Sequence, residues 1–190
     1  MPTAEEEPLW PRSPYAVTKL AGEHYSRVFS ELFGLETVSL RYFNVFGPRQ
    51  RPDSAYAAVI PLFLAALRTG EPPVVHGDGR QSRAFVYVGD AVAANLAAAS
   101  APAGHCRGPA YNVAGRRSID LLELLEILGV EPRPVHVEPR PGDVRHTSAD
   151  ITAAGRGLGF EPQVSLEEGL RRTVEWFSGL PRRGSTPGEG

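Results

Sequence analysis

Tyr15 and Lys19, in the run Ser13-Pro14-Tyr15-Ala16-Val17-Thr18-Lys19, stand four residues apart, and Lys19 is the only lysine among the 20 Lys and Arg residues. The two cations are not interchangeable, because lysine is a compact point charge and arginine a planar fork. A chain that writes every other cation as Arg makes the exception informative. On a helix, positions i and i+4 share a face, so a phenol and an ammonium at this spacing can meet at one point. A cation beside a phenol favours phenolate over the ordinary state with pKa about 10, which makes tyrosine a usable base near neutral pH. The competing reading is a surface helix with one unremarkable Tyr and one solvated Lys. The pair alone does not separate the two.

Other reactive residue types point to less. His24, His105, His136 and His146 show no metal-ligand spacing, so no metal site is expected. Cys106, the single cysteine, is paired with no base and reads as structural; one cysteine also excludes a disulfide framework and fits a reducing cytoplasm. No Gly-rich strand-to-helix turn occurs, so the sequence offers no phosphate cradle of the dinucleotide type. Gly77-Asp78-Gly79 follows one strand and leads into another, which predicts a hairpin turn.

The elements that must position the Tyr/Lys pair alternate between helix and strand. Ser13 suits an N-cap and Pro14 the first helical position. Apolar residues recur at Val17, Leu20, Ala21, Tyr25, Val28, Phe29 and Leu32 as a helical stripe that Gly34 closes. Tyr15 and Lys19 then fall in the first two turns, at the positive end of the helix dipole. The pattern next predicts a strand over Glu36–Tyr42, turns from Asn44 to Pro52, and a helix over Ala57–Arg68 closed by Gly70. Strands follow at Val74–His76 and Ala84–Val88. Asp90 is expected to cap an Ala-rich helix to about Ser100, Ala110–Val113 to form a strand, and Ser118 to cap a helix over Ile119–Leu128. Pro134–Glu138 reads as extended, and Gly155 and Gly157 weaken a short helix after Asp150. Ser165 with Glu168 forms a capping box before a last helix ending near Phe177. The Pro-, Arg- and Gly-rich tail from Gly179 is expected to be disordered. Such alternation argues for an α/β fold.

Composition sets the outer bounds. At 190 residues the chain is long enough to bury a core, as one large domain or two small ones. A formal charge of -2 with scattered arginines gives no footprint for nucleic acid. No apolar run approaches membrane-spanning length, and the acidic start from Met1 to Glu7 is unlike a signal peptide. The expectation is a soluble cytoplasmic protein.

Several segments, in register from about Pro8 to Phe177, resemble the carboxyl-terminal part of the extended short-chain dehydrogenase/reductase family, specifically its nucleotide-sugar 4-epimerases and dehydratases. They are the run Ser13 to Lys19, Arg41-Tyr42-Phe43-Asn44-Val45-Phe46-Gly47-Pro48-Arg49, Gly77-Asp78-Gly79 followed by Arg83 to Asp90, Tyr111-Asn112-Val113, Arg140-Pro141-Gly142-Asp143 with Ala149-Asp150, and Leu158-Gly159-Phe160 to Trp176. Tyr56-Ala57-Ala58-Val59-Ile60-Pro61 most resembles the UDP-hexose and UDP-N-acetylhexosamine 4-epimerases; dehydratases and UDP-glucuronate decarboxylases usually differ there. Where the family usually carries Asp after the arginine of the Arg83 segment, this sequence has Ala84.

The resemblance implies an incomplete Rossmann-type fold plus a smaller α/β substrate-binding domain. Residues 1–45 would be a remnant of the NAD-binding domain, and 46–178 mainly the substrate-binding domain, with segments around 84–113 returning to the Rossmann core. It implies that Tyr15 takes the proton of a sugar 4-hydroxyl while hydride passes to NAD, and that Lys19 holds the nicotinamide ribose and favours the Tyr15 phenolate. Tyr42 would lie near the nicotinamide. Asn44, Arg83 and Arg140 match phosphate contacts, Asp143 a ribose-hydroxyl acceptor, Ala58 and Val59 a loop whose backbone reads uracil, and His76 a position stacking on the base. Asn112 reads as structural, a buried amide fixing the turn after its strand.

The family's Gly-rich NAD loop, its ribose-binding acid and its catalytic Ser or Thr all precede the tyrosine by more residues than stand here, and Thr3 is too close to Tyr15 to be that hydroxyl. The chain is therefore expected to be inactive alone and to need a partner supplying the NAD-binding half, or to pair with a second copy through the Tyr/Lys helix. The alternatives are a non-catalytic nucleotide-sugar-binding module, a relative of the dehydratases and decarboxylases, and a non-functional fragment.

Overall fold

Ser13 Oγ accepts the Ala16 amide at 3.1 Å, Pro14 takes the first helical position, and the chain stays helical until Gly34 turns left-handed at φ 67°. The computed structural model describes residues 2–52, 58–129, 133–139 and 144–179. In chain order its elements are α1 (Pro14–Phe33), β1 (Thr37–Tyr42), β2 (Val45–Phe46), α2 (Val59–Thr69), β3 (Val74–His76), β4 (Ser82–Ala84), β5 (Val86–Tyr87), α3 (Val88–Ala99), β6 (Arg107–Val113), β7 (Ser118–Asp120), α4 (Leu121–Ile127), β8 (Val135–Val137), α5 (Thr152–Leu158) and α6 (Leu166–Ser178), with a 3-10 turn at Ala103–His105. The fold is α/β. Ser165 caps α6 as expected, its Oγ accepting the Glu168 amide, but the Glu168 carboxylate binds Arg171 and Arg172 instead of completing a capping box.

The strands pair two by two: β1 with β6, β2 with β5 and β3 with β8 in parallel, and β4 with β7 antiparallel. The Gly77-Asp78-Gly79 turn is therefore not a hairpin, because its flanking strands β3 and β4 pair with other partners. The turn's own backbone explains this. Gly77 N–H donates to Val137 O, and Gly79 O accepts the Leu121 amide, so both glycines, at φ 73° and 77°, are held by α4 and β8. A Cβ on Gly79 would lie 2.7 Å from Leu122 Cδ2.

Two further expectations change. Asp90 does not cap α3: the helix begins at Val88 behind Tyr87, and Asp90 sits in its first turn with 4% exposure. Its carboxylate accepts the Gln163 and Val164 amides at 3.0 and 3.1 Å, which fastens the segment before α6 to α3. Ser118 opens no helix either; it begins β7, and Asp120 caps α4 by accepting the Glu123 amide at 2.8 Å. Gly157 of α5 also has a packing reason, since a Cβ there would lie 2.7 Å from Tyr111 Cζ.

Burial divides into two clusters. One packs Phe46, Ile60, Phe63, Val75, Phe85, Ile119, Leu124 and Leu170 between α2, α4 and α6. The other packs Val86, Ala94, Tyr111, Val113, Ala154 and Phe160 beside β6. Asn112, within β6, is buried at 2% exposure, and its Nδ2 donates to Thr3 O and Asp150 O, each at 3.0 Å. It is structural, but it joins the two distant segments 3 and 150 rather than closing a local turn.

The helix that carries Tyr15 is held against β1 and β6. Thr37 Oγ1 donates to Ser26 O, and Gly108 lets the chain approach Arg27 so closely that a Cβ there would lie 2.8 Å from Arg27 Cα. No residue of α1 is buried. Val17, Tyr25, Phe29, Leu32 and Phe33 are exposed on it. Among the described residues, no helix is long and apolar enough to cross a membrane.

Candidate active site

Tyr15 and Lys19 meet as their helical spacing predicts: Lys19 Nζ lies 5.1 Å from the centroid of the Tyr15 ring. Both side chains are exposed, Tyr15 at 63%. The pair stands in the first two turns of α1, where the dipole adds positive potential. A phenol, an ammonium and a helix N-terminus so arranged suit proton transfer, the phenolate form accepting the proton of a hydroxyl.

β1 delivers the next residues at its carboxyl end, the edge where open α/β sheets hold ligands. Tyr42 Oη donates to Asn95 Oδ1 at 2.9 Å, which ties the end of β1 to α3. Asn44 follows with φ 29°, a conformation that asparagine tolerates better than most residues. Its Nδ2 donates to Ala84 O at 2.7 Å, and its carbonyl accepts the Val86 amide. Asn44 is thereby fixed beside Arg83. Ala84 N–H donates to Thr147 Oγ1, so both backbone groups of the residue that replaces the expected acid are satisfied.

Arg83, on β4, is half-buried and its Nη1 donates to the carbonyls of Ser82 and Arg145. Arg145 in turn holds Asp78 at 2.6 Å, and this hydrogen bond keeps the Asp78 carboxyl below the usual carboxylate range. A cavity of about 480 Å³ opens beside Arg83, lined also by Val59 and Phe63 of α2, His76 of β3, Gln81 and Leu121. Its wall is mostly apolar, with Thr69, Glu71, His76, Gln81 and Arg83 as its polar residues, the usual make-up of a small-molecule pocket. His76 Nδ1 lies 3.0 Å from Glu138 O; a carbonyl only accepts, so this nitrogen carries the proton. Gln81 is buried and donates from Nε2 to His76 O at 2.6 Å, which sets the strand end that presents the imidazole.

Val59, His76 and Arg83 thus converge on one cavity, Ala58 is the N-cap residue of α2 directly before it, and Asn44 stands next to Arg83 through Ala84. Tyr15 and Lys19 do not line this cavity, and Tyr42 is joined to α3. Arg140 and Asp143 lie outside the described residues. Among the described residues, no group of His, Cys, Asp or Glu could hold a metal ion.

NAD fits these residues in part. The exposed Tyr15–Lys19 pair suits a nicotinamide ribose, which needs a donor cation and a proton acceptor on an open face. No Gly-rich strand-to-helix turn accompanies it to hold a diphosphate.

Sequence reasoning missed Gln81, Glu23 and Arg41. Arg41, on β1, grips both oxygens of Glu23 on α1, with Nε to Oε2 at 2.9 Å and Nη2 to Oε1 at 2.6 Å. That hydrogen bonding lowers the Glu23 pKa and raises that of Arg41, each against the opposing effect of burial. The only available signal was the spacing of Tyr15, Lys19 and Glu23, four residues apart in turn.

The model of the NAD dependent epimerase/dehydratase family matches residues 1–114. The chain is 36% identical over 181 residues to a putative UDP-glucose 4-epimerase of Methanocaldococcus jannaschii, covering 93% of this chain and 57% of that protein. A UDP-N-acetylglucosamine 4-epimerase from Methanobrevibacter ruminantium, solved in complex with UDP-N-acetylmuramic acid, superposes with a TM-score of 0.86 at 42% identity, over 94% of this chain and 57% of that one. A UDP-glucuronic acid 4-epimerase from Bacillus cereus, solved with UDP-glucuronic acid and NAD, gives a TM-score of 0.85 at 32% identity, over 94% and 56%. The chain spans a little over half the length of these relatives.

Proposed function

The chain belongs to the NAD-dependent epimerase/dehydratase family, and on that premise we propose that it carries the Tyr/Lys pair and the nucleotide-sugar pocket of a UDP-hexose 4-epimerase-type oxidoreduction. The observation that carries the reading is the convergence of Val59, His76 and Arg83 on one cavity of about 480 Å³. A guanidinium fork whose orientation is set by the Ser82 and Arg145 carbonyls suits a diphosphate, and the imidazole and the apolar wall suit a base. Arg140 would add a second phosphate contact, Asp143 a ribose-hydroxyl acceptor, and the backbone of Ala58 and Val59 contacts to the uracil edge.

In this reading Tyr15 takes the proton from the sugar 4-hydroxyl and later returns it, so the sugar passes through a 4-keto form. Lys19 stabilises the phenolate form of Tyr15 that takes the proton, and holds the ribose hydroxyls of the nicotinamide. NAD, when bound, supplies the acceptor and then the donor of hydride at C4. Tyr42, fixed by Asn95, borders the nicotinamide side. The sequence holds no Gly-rich turn for the dinucleotide's phosphates, so turnover requires a dinucleotide-binding unit beyond these 190 residues. The exposed apolar face of α1 is where it would pack, with a second copy of this chain as the alternative occupant. The cytoplasm, where nucleotide sugars and NAD are both at hand, is the proposed compartment.

Calorimetry with UDP tests the pocket. Binding is expected, with at least a tenfold loss in Arg83→Ala; no heat with UDP would overturn the assignment. Turnover of UDP-glucose by these 190 residues alone would overturn the requirement for a dinucleotide-binding unit.

A further inference from the structure

Tyr15, Lys19 and Glu23 occupy successive i+4 positions on α1, so Lys19 has two neighbours within reach along the helix: a phenol one turn before it and a carboxylate one turn after it. By charge alone the carboxylate is the stronger attraction. In the structure the ammonium goes to the phenol, 5.1 Å from the ring centroid, and among the described residues no ion pair joins Lys19 to Glu23. The reason lies on the neighbouring strand. Arg41 reaches from β1 and occupies both Glu23 oxygens in a fork, with each side chain at 21% exposure. A carboxylate bound at both oxygens by a guanidinium has little left to offer a second cation. Arg41 is itself anchored: its Nη1 donates to Glu5 O at 3.0 Å, and the Glu5 carboxylate accepts the Asn112 amide at 2.7 Å.

We propose that Arg41 is a positioning residue for the Tyr15–Lys19 pair: by holding Glu23 it keeps Lys19 over the phenol. The proposal rests on the reading of Tyr15 and Lys19 as the reactive pair for its meaning, but not for its test. Without Arg41, Glu23 is a half-buried carboxylate with no partner, and such a group recruits the nearest available cation. Two other basic side chains stand near it. His24 is the next residue on the helix, and Arg27 is four residues on, yet Arg27 is occupied, pairing with Glu31 at 3.6 Å and packed against Gly108. Lys19 is the cation whose displacement matters, since on reaching Glu23 it leaves the ring.

Because Lys19 is the only lysine, isotopic labelling of lysine gives a single side-chain signal that needs no assignment. In the intact chain its ε-methylene protons are expected to be shifted upfield by the Tyr15 ring current, and Tyr15→Ala defines the position with that shift lost. Arg41→Gln should move the signal to the Tyr15→Ala position. Glu23→Gln should leave it where it is, since the competing carboxylate is gone, and the double variant Arg41→Gln/Glu23→Gln should restore it. A role confined to holding α1 on β1 would make Glu23→Gln as disruptive as Arg41→Gln, because either change breaks the same pair. Equal shifts in the two single variants, or no shift in Arg41→Gln, overturns the proposal. The readout requires neither NAD nor sugar, so its failure is distinct from failure of the UDP titration.

Discussion

Replacing Asp90 separates two descriptions of the same residue. A helix N-cap typically contributes about 1 kcal/mol, and serine serves nearly as well as aspartate. In the folded chain Asp90 instead acts as a clamp, a single carboxylate, 4% exposed, that accepts the Gln163 and Val164 amides at 3.0 and 3.1 Å. Hydrogen bonds to a charged group contribute about 1.5–3 kcal/mol each, so Asp90→Ala removes roughly 3–6 kcal/mol of interaction. The desolvation of the carboxylate offsets part of that, which places the net loss near ~3 kcal/mol. For a chain of this size the corresponding fall in Tm is about 6–12 °C. Asp90→Ser is the informative variant: its single Oγ stands in for two oxygens that each accept a different amide, so it should cost half or more of what Asp90→Ala costs. Urea unfolding followed by tryptophan fluorescence, with Trp176 in α6 as a reporter of the fastened segment, gives both values. A loss of only about 1 kcal/mol for Ala, with Ser close to neutral, would restore the cap and refute the clamp.

Gly157→Ala should destabilise the chain by about 1–3 kcal/mol in the same assay, because its Cβ meets the Tyr111 ring; helix propensity alone predicts a gain of about 1 kcal/mol. The Glu23–Arg41 pair should make stability depend on pH in one direction. Its hydrogen bond holds the Glu23 pKa below the unfolded value, so its contribution is complete above that unfolded value and disappears as pH falls through the folded one. The urea-midpoint gap between the parent chain and Glu23→Gln should therefore be constant near neutrality and close in acid; a gap that widens in acid contradicts the pairing.

Much of the helical structure was legible because helix signals are local. Ser13, Pro14 and Gly34 bound α1, and Ser165 and Glu168 open α6, through bonds spanning three or four residues. The strand over Thr37–Tyr42 and the extended segment at Val135–Val137 were legible from their side-chain types. The failures share a cause. Asp90 and Ser118 are chemically indistinguishable from caps, and only their neighbours in space, Gln163 and Val164 for one and the β4 strand for the other, decide what they do. Gly77-Asp78-Gly79 has a hairpin's composition, yet α4 and β8 claim its backbone.

The sequence by itself determined that one phenol and one ammonium share a helix face, because the helical repeat is a property of the backbone alone. It also determined, through motif order, which family the chain resembles. Only the tertiary structure decided that Val59, His76 and Arg83 border one cavity and that Arg41 of β1 occupies the carboxylate next to Lys19. Glu23 and Arg41 are 18 positions apart in the chain and lie on different elements, α1 and β1, so no single repeat relates them. Such contacts exist because particular strands and helices pack, a choice made by burial across the whole chain and written in no local spacing.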